Sequence, residues 1–161
     1  MEKRNRKLLF IFAAMKHLKL MIGLLLLTGC GETAENDDAA RKVAEAWGDA
    51  YFNCDYHEAE QYVTEESGKW LRFAASNTTQ SDLELLQSQN ATVKAGDYFS
   101  VASDTLRVVR LKVENYLSPT ALGEASRQEA EGVFEVTVVK RSNGWQVRME
   151  GLPRSERQSR D

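Results

Sequence analysis

Histidine, cysteine and proline each occur only twice in the 161 residues, and each scarcity closes off a chemistry. With only His17 and His57, any Ser/His/Asp set would rest on a single imidazole. Isolated thiols and scattered carboxylates show no metal-ligand spacing, so neither a metal nor another cofactor is expected. Cys30 and Cys54 are too few for the disulfide framework that staples small secreted domains. No glycine-rich phosphate loop is present, and there is no internal repeat. No apolar run reaches the roughly 20 residues of a membrane-spanning helix.

Positive charge is scarce beyond the N-terminus. Residues 1–29 hold six of the 21 basic residues and one acid, Glu2, which leaves 15 basic and 23 acidic residues in 30–161, a net charge of about −8. A phosphate backbone is tracked by clustered Lys and Arg, so nucleic acid is not expected as a partner. Hydrophobic residues make up 42% of the chain, ordinary for one globular domain.

The N-terminus reads as an address. Basic residues precede two short apolar runs, 8–15 and 20–28, and the second closes in Leu27-Thr28-Gly29-Cys30. A basic segment, a short apolar core and small residues at the cleavage point define a secretory signal, here 1–29. The Leu-Thr-Gly-Cys ending resembles the lipobox of bacterial lipoproteins. That resemblance implies cleavage between Gly29 and Cys30 and a diacylglyceryl group on the Cys30 thiol, which anchors the chain stably where one acyl chain would be marginal. Met15 with Lys16-His17-Leu18-Lys19 makes a complete signal by itself, so Met15 is an alternative start. The expected location is the cell envelope, at the outer membrane, on its periplasmic face or at the cell surface. No aspartate follows Cys30, where one would be similar to an inner-membrane retention signal. With Cys30 lipidated, Cys54 is left without a disulfide partner. Residues 30–37, acidic and small, read as a flexible tether.

Beyond the tether, 39–52 has helical periodicity, with Val43, Trp47, Ala50 and Cys54 on one stripe and Asp37 or Asp38 as its cap. Asp55 with Glu58 is a capping-box-like start for a short helix, Thr64 opens a third segment, and Ser81 with Glu84 reads as another capping box. After Asn90 the period changes from helical to alternating. Residues 91–101 are a strand broken by Gly96-Asp97, 105–117 and 128–141 are clear strands, and Ser142-Asn143-Gly144 turns the chain into a last strand bearing Trp145, Val147 and Met149. Residues 118–127 read as a loop and 153–161 as a polar tail. Helices followed by antiparallel strands predict an α+β domain over 38–152, with the helices packed on a curved four-stranded sheet.

The lipobox, Trp47 and Tyr51 on the first helix, the Asn-Cys-Asp-Tyr-His-Glu-Ala step at 53–59 and the closing Lys-Arg-Ser-Asn-Gly-Trp-Gln-Val at 140–147 together resemble a family. They are similar to small bacterial lipoproteins of unknown function with the nuclear transport factor 2-like (cystatin-like) cone fold. Gly144 is followed directly by Trp145, one residue short of the commoner spacing. The resemblance implies a cone-shaped pocket between helices and sheet, and often a homodimer through the sheet. It does not choose a function, because the superfamily holds isomerases, cyclases, dehydratases and binding subunits.

Trp47, Tyr51, Tyr62, Trp70, Phe73, Phe134 and Trp145 are the aromatics available to line such a pocket. His57 reads as an exposed helix-start residue and Cys54 as a small buried hydrophobe. An isomerase-like mechanism needs a buried acid facing a tyrosine. Asp97 with Tyr98 and Glu114 with Tyr116 are the pairs at hand, but the alternation puts Glu114 and Tyr116 on the wet face with Arg110 and Lys112. Asp104-Thr105-Leu106 resembles a short O-glycosylation sequon of some anaerobic Gram-negative bacteria. The expected role is therefore a membrane-anchored, non-enzymatic module that binds a small ligand or a protein. The alternative is an isomerase- or cyclase-like enzyme acting on an apolar molecule.

Overall fold

A computed structural model of the chain describes residues 31–100, 103–119 and 124–156. The signal segment 1–29, the cleavage pair Gly29 and Cys30, and most of the C-terminal tail lie outside the described residues. The chain divides into two units, Met1–Asn36 and Asp37–Asp161; the second is the body described below.

Helix α1 (Gly31–Phe52) starts eight residues before the expected 39, so the backbone read as a tether is helical from Gly31. Asp37 and Asp38 therefore lie inside the helix and do not cap it. Of the expected stripe Val43, Trp47, Ala50 and Cys54, Trp47 and Ala50 are buried and Val43 packs partly buried against the core, while Ala40, Ala44 and Gly48 widen the buried face. The reason is closeness of approach: a Cβ on Gly48 would stand 2.7 Å from Leu111 Cδ1 and 3.0 Å from Val93 Cγ1. Small residues let the helix settle onto the sheet, and a pattern weighted by bulk overlooks them.

The C-terminus of α1 closes through two bonds, Asp55 N–H to Ala50 O (2.9 Å) and Cys54 N–H to Tyr51 O (3.1 Å). This is the Schellman arrangement, and Cys54 occupies its left-handed position with φ 60°. Cys54 thus leaves the helical stripe and stands half-buried on the turn. Helix α2 (Tyr56–Glu60) is capped by Asp55, which accepts from Glu58 N–H at 3.0 Å, as its spacing predicts. A 3-10 turn (Glu65–Ser67) leads into α3 (Gly68–Asn77), and α4 (Gln80–Ser88) follows.

The capping box of α4 is Thr79 with Asp82, two residues before the expected Ser81 and Glu84. Asp82 Oδ2 accepts from Thr79 N–H at 2.7 Å, while Asp82 N–H donates to Thr79 Oγ1 at 3.3 Å. Asp82 Oδ1 also accepts from Ser126 N–H at 2.7 Å, so a tertiary contact holds Asp82 where either box would satisfy the local rule.

Strands β1 (Thr92–Ser100), β2 (Leu106–Ser118), β3 (Arg127–Arg141) and β4 (Gly144–Arg148) form one antiparallel sheet in sequential order. The register of β1 on β2 shifts between Ala95 and Tyr98, at the expected Gly96-Asp97 irregularity. Val109, Leu111 and Val113 of β2 face inward with Phe134, Val136 and Val138 of β3 and Val147 of β4. At Asn115 the backbone is left-handed, φ 58°, and the alternation changes phase there. Tyr116 consequently turns into the core at 5% exposure, contrary to the wet-face assignment. Its ring covers Gly132, where a Cβ would come within 2.8 Å of Tyr116 Cε1.

Helices and sheet are also tied by backbone. Val147 N–H donates to Tyr62 O at 2.7 Å and Thr64 N–H to Val147 O at 2.9 Å, and Met149 N–H donates to the buried Ser67 Oγ at 2.9 Å. After β4 the chain rejoins β3 through a Phe134–Ser155 bridge and a 2.9 Å bond from Glu156 N–H to Val133 O. The first residues of the expected polar tail are thus held against the sheet, with Ser155 buried.

Candidate functional site

A cavity of about 240 Å³ opens between the C-terminal end of α1, the following helices and the sheet around Tyr116 and Phe134. Each layer contributes aromatic rings: Tyr51 and Phe52 from α1, Tyr56 from α2, Phe73 from α3, Tyr116 from β2 and Phe134 from β3. Phe52 and Phe134 have ring centroids 4.6 Å apart, and Tyr116 meets Phe134 edge-on at 5.0 Å. These contacts exceed simple area burial in worth and pack the inner wall. Phe73, 45% exposed, stands at the rim.

A few polar groups punctuate this wall. Thr78 Oγ1 donates to Ala74 O at 3.1 Å, so at the 2.9 Å contact between Tyr56 and Thr78 the phenol is the donor. Cys54 Sγ is a longer second acceptor for the same proton at 3.5 Å. Burial pushes the Tyr51 and Tyr56 phenols far up, and both stay neutral at physiological pH. Burial likewise pushes the Cys54 thiol up, against the opposing bonds from Tyr56 and Thr78. It is therefore a poor thiolate nucleophile.

Asp82, 2% exposed, is the buried carboxylate of the wall. Burial would raise its pKa, but the N–H groups of Thr79 and Ser126 outweigh that and hold it below the usual carboxylate range. Both of its oxygens are engaged by backbone N–H groups. It is built to stay ionised and to hold α4 to Ser126, which is the opposite of what a catalytic base requires.

Of the aromatics read as candidate lining, Tyr51, Phe73 and Phe134 stand on the cavity. Trp47 lies deep in the core at 1% exposure, stacked on Tyr51 at 5.0 Å. Tyr62 is half-buried, and its hydroxyl donates to Glu58 Oε1 at 2.8 Å; Trp70 packs partly buried against the core. Trp145 is buried beneath the Arg107 guanidinium, 5.6 Å from its ring centroid. His57 is exposed. Glu114 is half-buried and pairs with Lys112 Nζ at 3.1 Å. The side chains of Asp97 and Tyr98 and the lipid site Cys30 lie outside the described residues.

Phe52, Tyr56, Thr78, Asp82 and Tyr116 are lining residues that periodicity missed. Only Asn115 carried a signal, since asparagine is among the few residues that visit the left-handed region readily. Among the described residues no cluster of three or more His, Cys, Asp or Glu could hold a metal ion, and no helix is long and apolar enough to cross a membrane. Comparison of the chain with models of known protein families and with curated proteins finds no match to either.

Proposed function

We propose that this protein is a lipid-anchored envelope domain of the nuclear transport factor 2-like cone type, whose cavity binds a small, largely apolar molecule without transforming it. The observation that carries this is the aromatic-walled cavity itself. Rigid apolar walls with a few convergent polar groups are the usual make-up of a ligand site. A dry cavity of about 150 Å³ takes benzene, so this one has room for roughly a two-ring molecule. The order of helices and then four antiparallel strands supports the cone, and the Leu-Thr-Gly-Cys ending supports the anchor.

Binding is favoured over isomerisation by the state of the titratable groups. Asp82 is held ionised with both oxygens engaged, and the Cys54 thiol is held protonated. Neither is poised to move a proton on a ligand.

Mass spectrometry of small molecules extracted from the full-length protein, purified in detergent, tests the reading. A retained compound of that size should be lost in Ala74→Leu, which fills the cavity from its α3 wall. An empty protein, or a compound retained equally by Ala74→Leu, argues against it. The anchor has a separate test: Cys30→Ser should leave the precursor uncleaved and free of lipid label, and a normally processed, lipid-labelled variant would contradict it.

A further inference from the structure

Tyrosine hydroxyls withdrawn from solvent are normally hydrogen-bonded. Tyr56 and Tyr62 obey this, donating to Thr78 Oγ1 at 2.9 Å and to Glu58 Oε1 at 2.8 Å. Tyr51 and Tyr116 do not. Both line the cavity, and among the described residues nothing bonds to either hydroxyl. Tyr116 is 5% exposed, and its oxygen lies over Gly132, where a Cβ would stand 3.0 Å away and no side chain is present to meet it. The Phe52 ring is edge-on to Tyr51 at 5.3 Å and to Tyr116 at 6.2 Å, so the two phenols share one aromatic wall. Neither oxygen is sealed in as are the Trp47 and Trp145 indole nitrogens, which lie buried without an acceptor.

Two donors without protein partners set a condition on any occupant. Water that reaches such a hydroxyl satisfies it nearly as well as a protein group does. A purely hydrocarbon occupant displaces that water and returns no bond, and a stranded donor costs more than an ordinary hydrogen bond gains. An occupant with an acceptor oxygen replaces the lost bond. A site with polar groups that need a partner discriminates strongly against the analogue lacking it. Burial also pushes the Tyr51 phenol up, which keeps its proton in place to donate.

We propose that the cavity selects an apolar molecule bearing a carbonyl group, as in a ketone, ester or amide, whose oxygen accepts from the Tyr51 and Tyr116 phenols. This rests on reading the cavity as a ligand site, and it sets the chemical class of the ligand.

The test is calorimetric titration of the full-length protein with 2-acetylnaphthalene and with 2-isopropenylnaphthalene, which puts a methylene group in place of the carbonyl oxygen and keeps the shape. The detergent concentration is held constant, so partition into micelles cancels when proteins are compared. Both probes should bind the parent and be lost in Ala74→Leu. The double variant Tyr51→Phe with Tyr116→Phe keeps both rings and removes both donors. In it the ratio of ketone to alkene affinity should fall by at least about fivefold, the worth of one ordinary hydrogen bond. The infrared carbonyl band of the ketone bound to the parent should lie below its position in hexane, a readout that does not depend on the variant. An unchanged affinity ratio, or a bound carbonyl band at its hexane position, overturns recognition by the phenols and leaves the ligand site standing. Failure of both probes to bind, or binding that survives Ala74→Leu, removes the ligand site and this inference with it.

Discussion

One backbone angle at Asn115 decides which way Tyr116 faces. With φ at 58° the alternation of β2 slips by one residue, and the phenol swings from the charged face into the core. A β-branched residue tolerates that conformation poorly, so Asn115→Val should lower stability by about 1–2 kcal/mol, while Asn115→Gly should be near neutral. Urea denaturation of the two variants checks the contrast; equal losses would show that the side chain, not the backbone, matters. Asp82 works at the same scale. Its folded-state pKa lies below the ordinary value, so it adds stability that is present above about pH 4 and is lost as pH falls through the folded value. Asp82→Asn should therefore be less stable at neutral pH and show a flatter acid limb in melts between about pH 2 and 7. An acid limb as steep as the parent's would remove Asp82 from the account.

Among the elements, two glycines set how closely the layers meet. Gly48 lets α1 touch Leu111 and Val93, and Gly132 lets the Tyr116 ring lie on β3. A methyl at 132 would have to displace a ring that also walls the cavity. Gly132→Ala should cost about 1–3 kcal/mol, as overpacking does, and should weaken ligand binding in parallel. Loss of stability with unchanged affinity would mean that the ring moves away from the cavity. The elements themselves were largely legible. The alternation in Val109, Leu111 and Val113, the irregularity at Gly96-Asp97 and the turn at Ser142-Asn143 all follow from local sterics and hydrophobic period. The capping box of α4 is not legible in this way, because Ser81 with Glu84 satisfies the local rule as well as Thr79 with Asp82, and only the bond to Ser126 distinguishes them.

For the molecule as a whole, α1 is fastened to the sheet by contacts far apart in sequence. Arg107 Nε donates to Asp37 Oδ1 at 2.7 Å, and its Nη1 donates to Ser103 O and Leu106 O. Both side chains are largely buried, so removing the acid leaves a desolvated guanidinium. Asp37→Ala should cost about 3 kcal/mol, whereas replacing the pair together, Asp37→Leu with Arg107→Met, should recover much of that. Chemical denaturation of the single and double variants decides it, and additive losses would show that the two residues do not act as a pair. Nothing in the spacing of Asp37 and Arg107 announces this contact, because charge patterns speak only of neighbours within a turn or two.

By itself the sequence determined the α+β class, the strands and their inward faces, and the Asp55 cap. Each of these is a local consequence of side-chain period and backbone preference. Tertiary structure alone brought Gly48 into the buried face of α1, because its missing side chain matters only against Leu111 and Val93. It also decided that Trp47 and Trp145 fill the core while Phe52, Tyr56 and Tyr116 wall the cavity. A cavity is the space left where layers of unequal reach meet, and that space is set by packing between elements that no local pattern encodes.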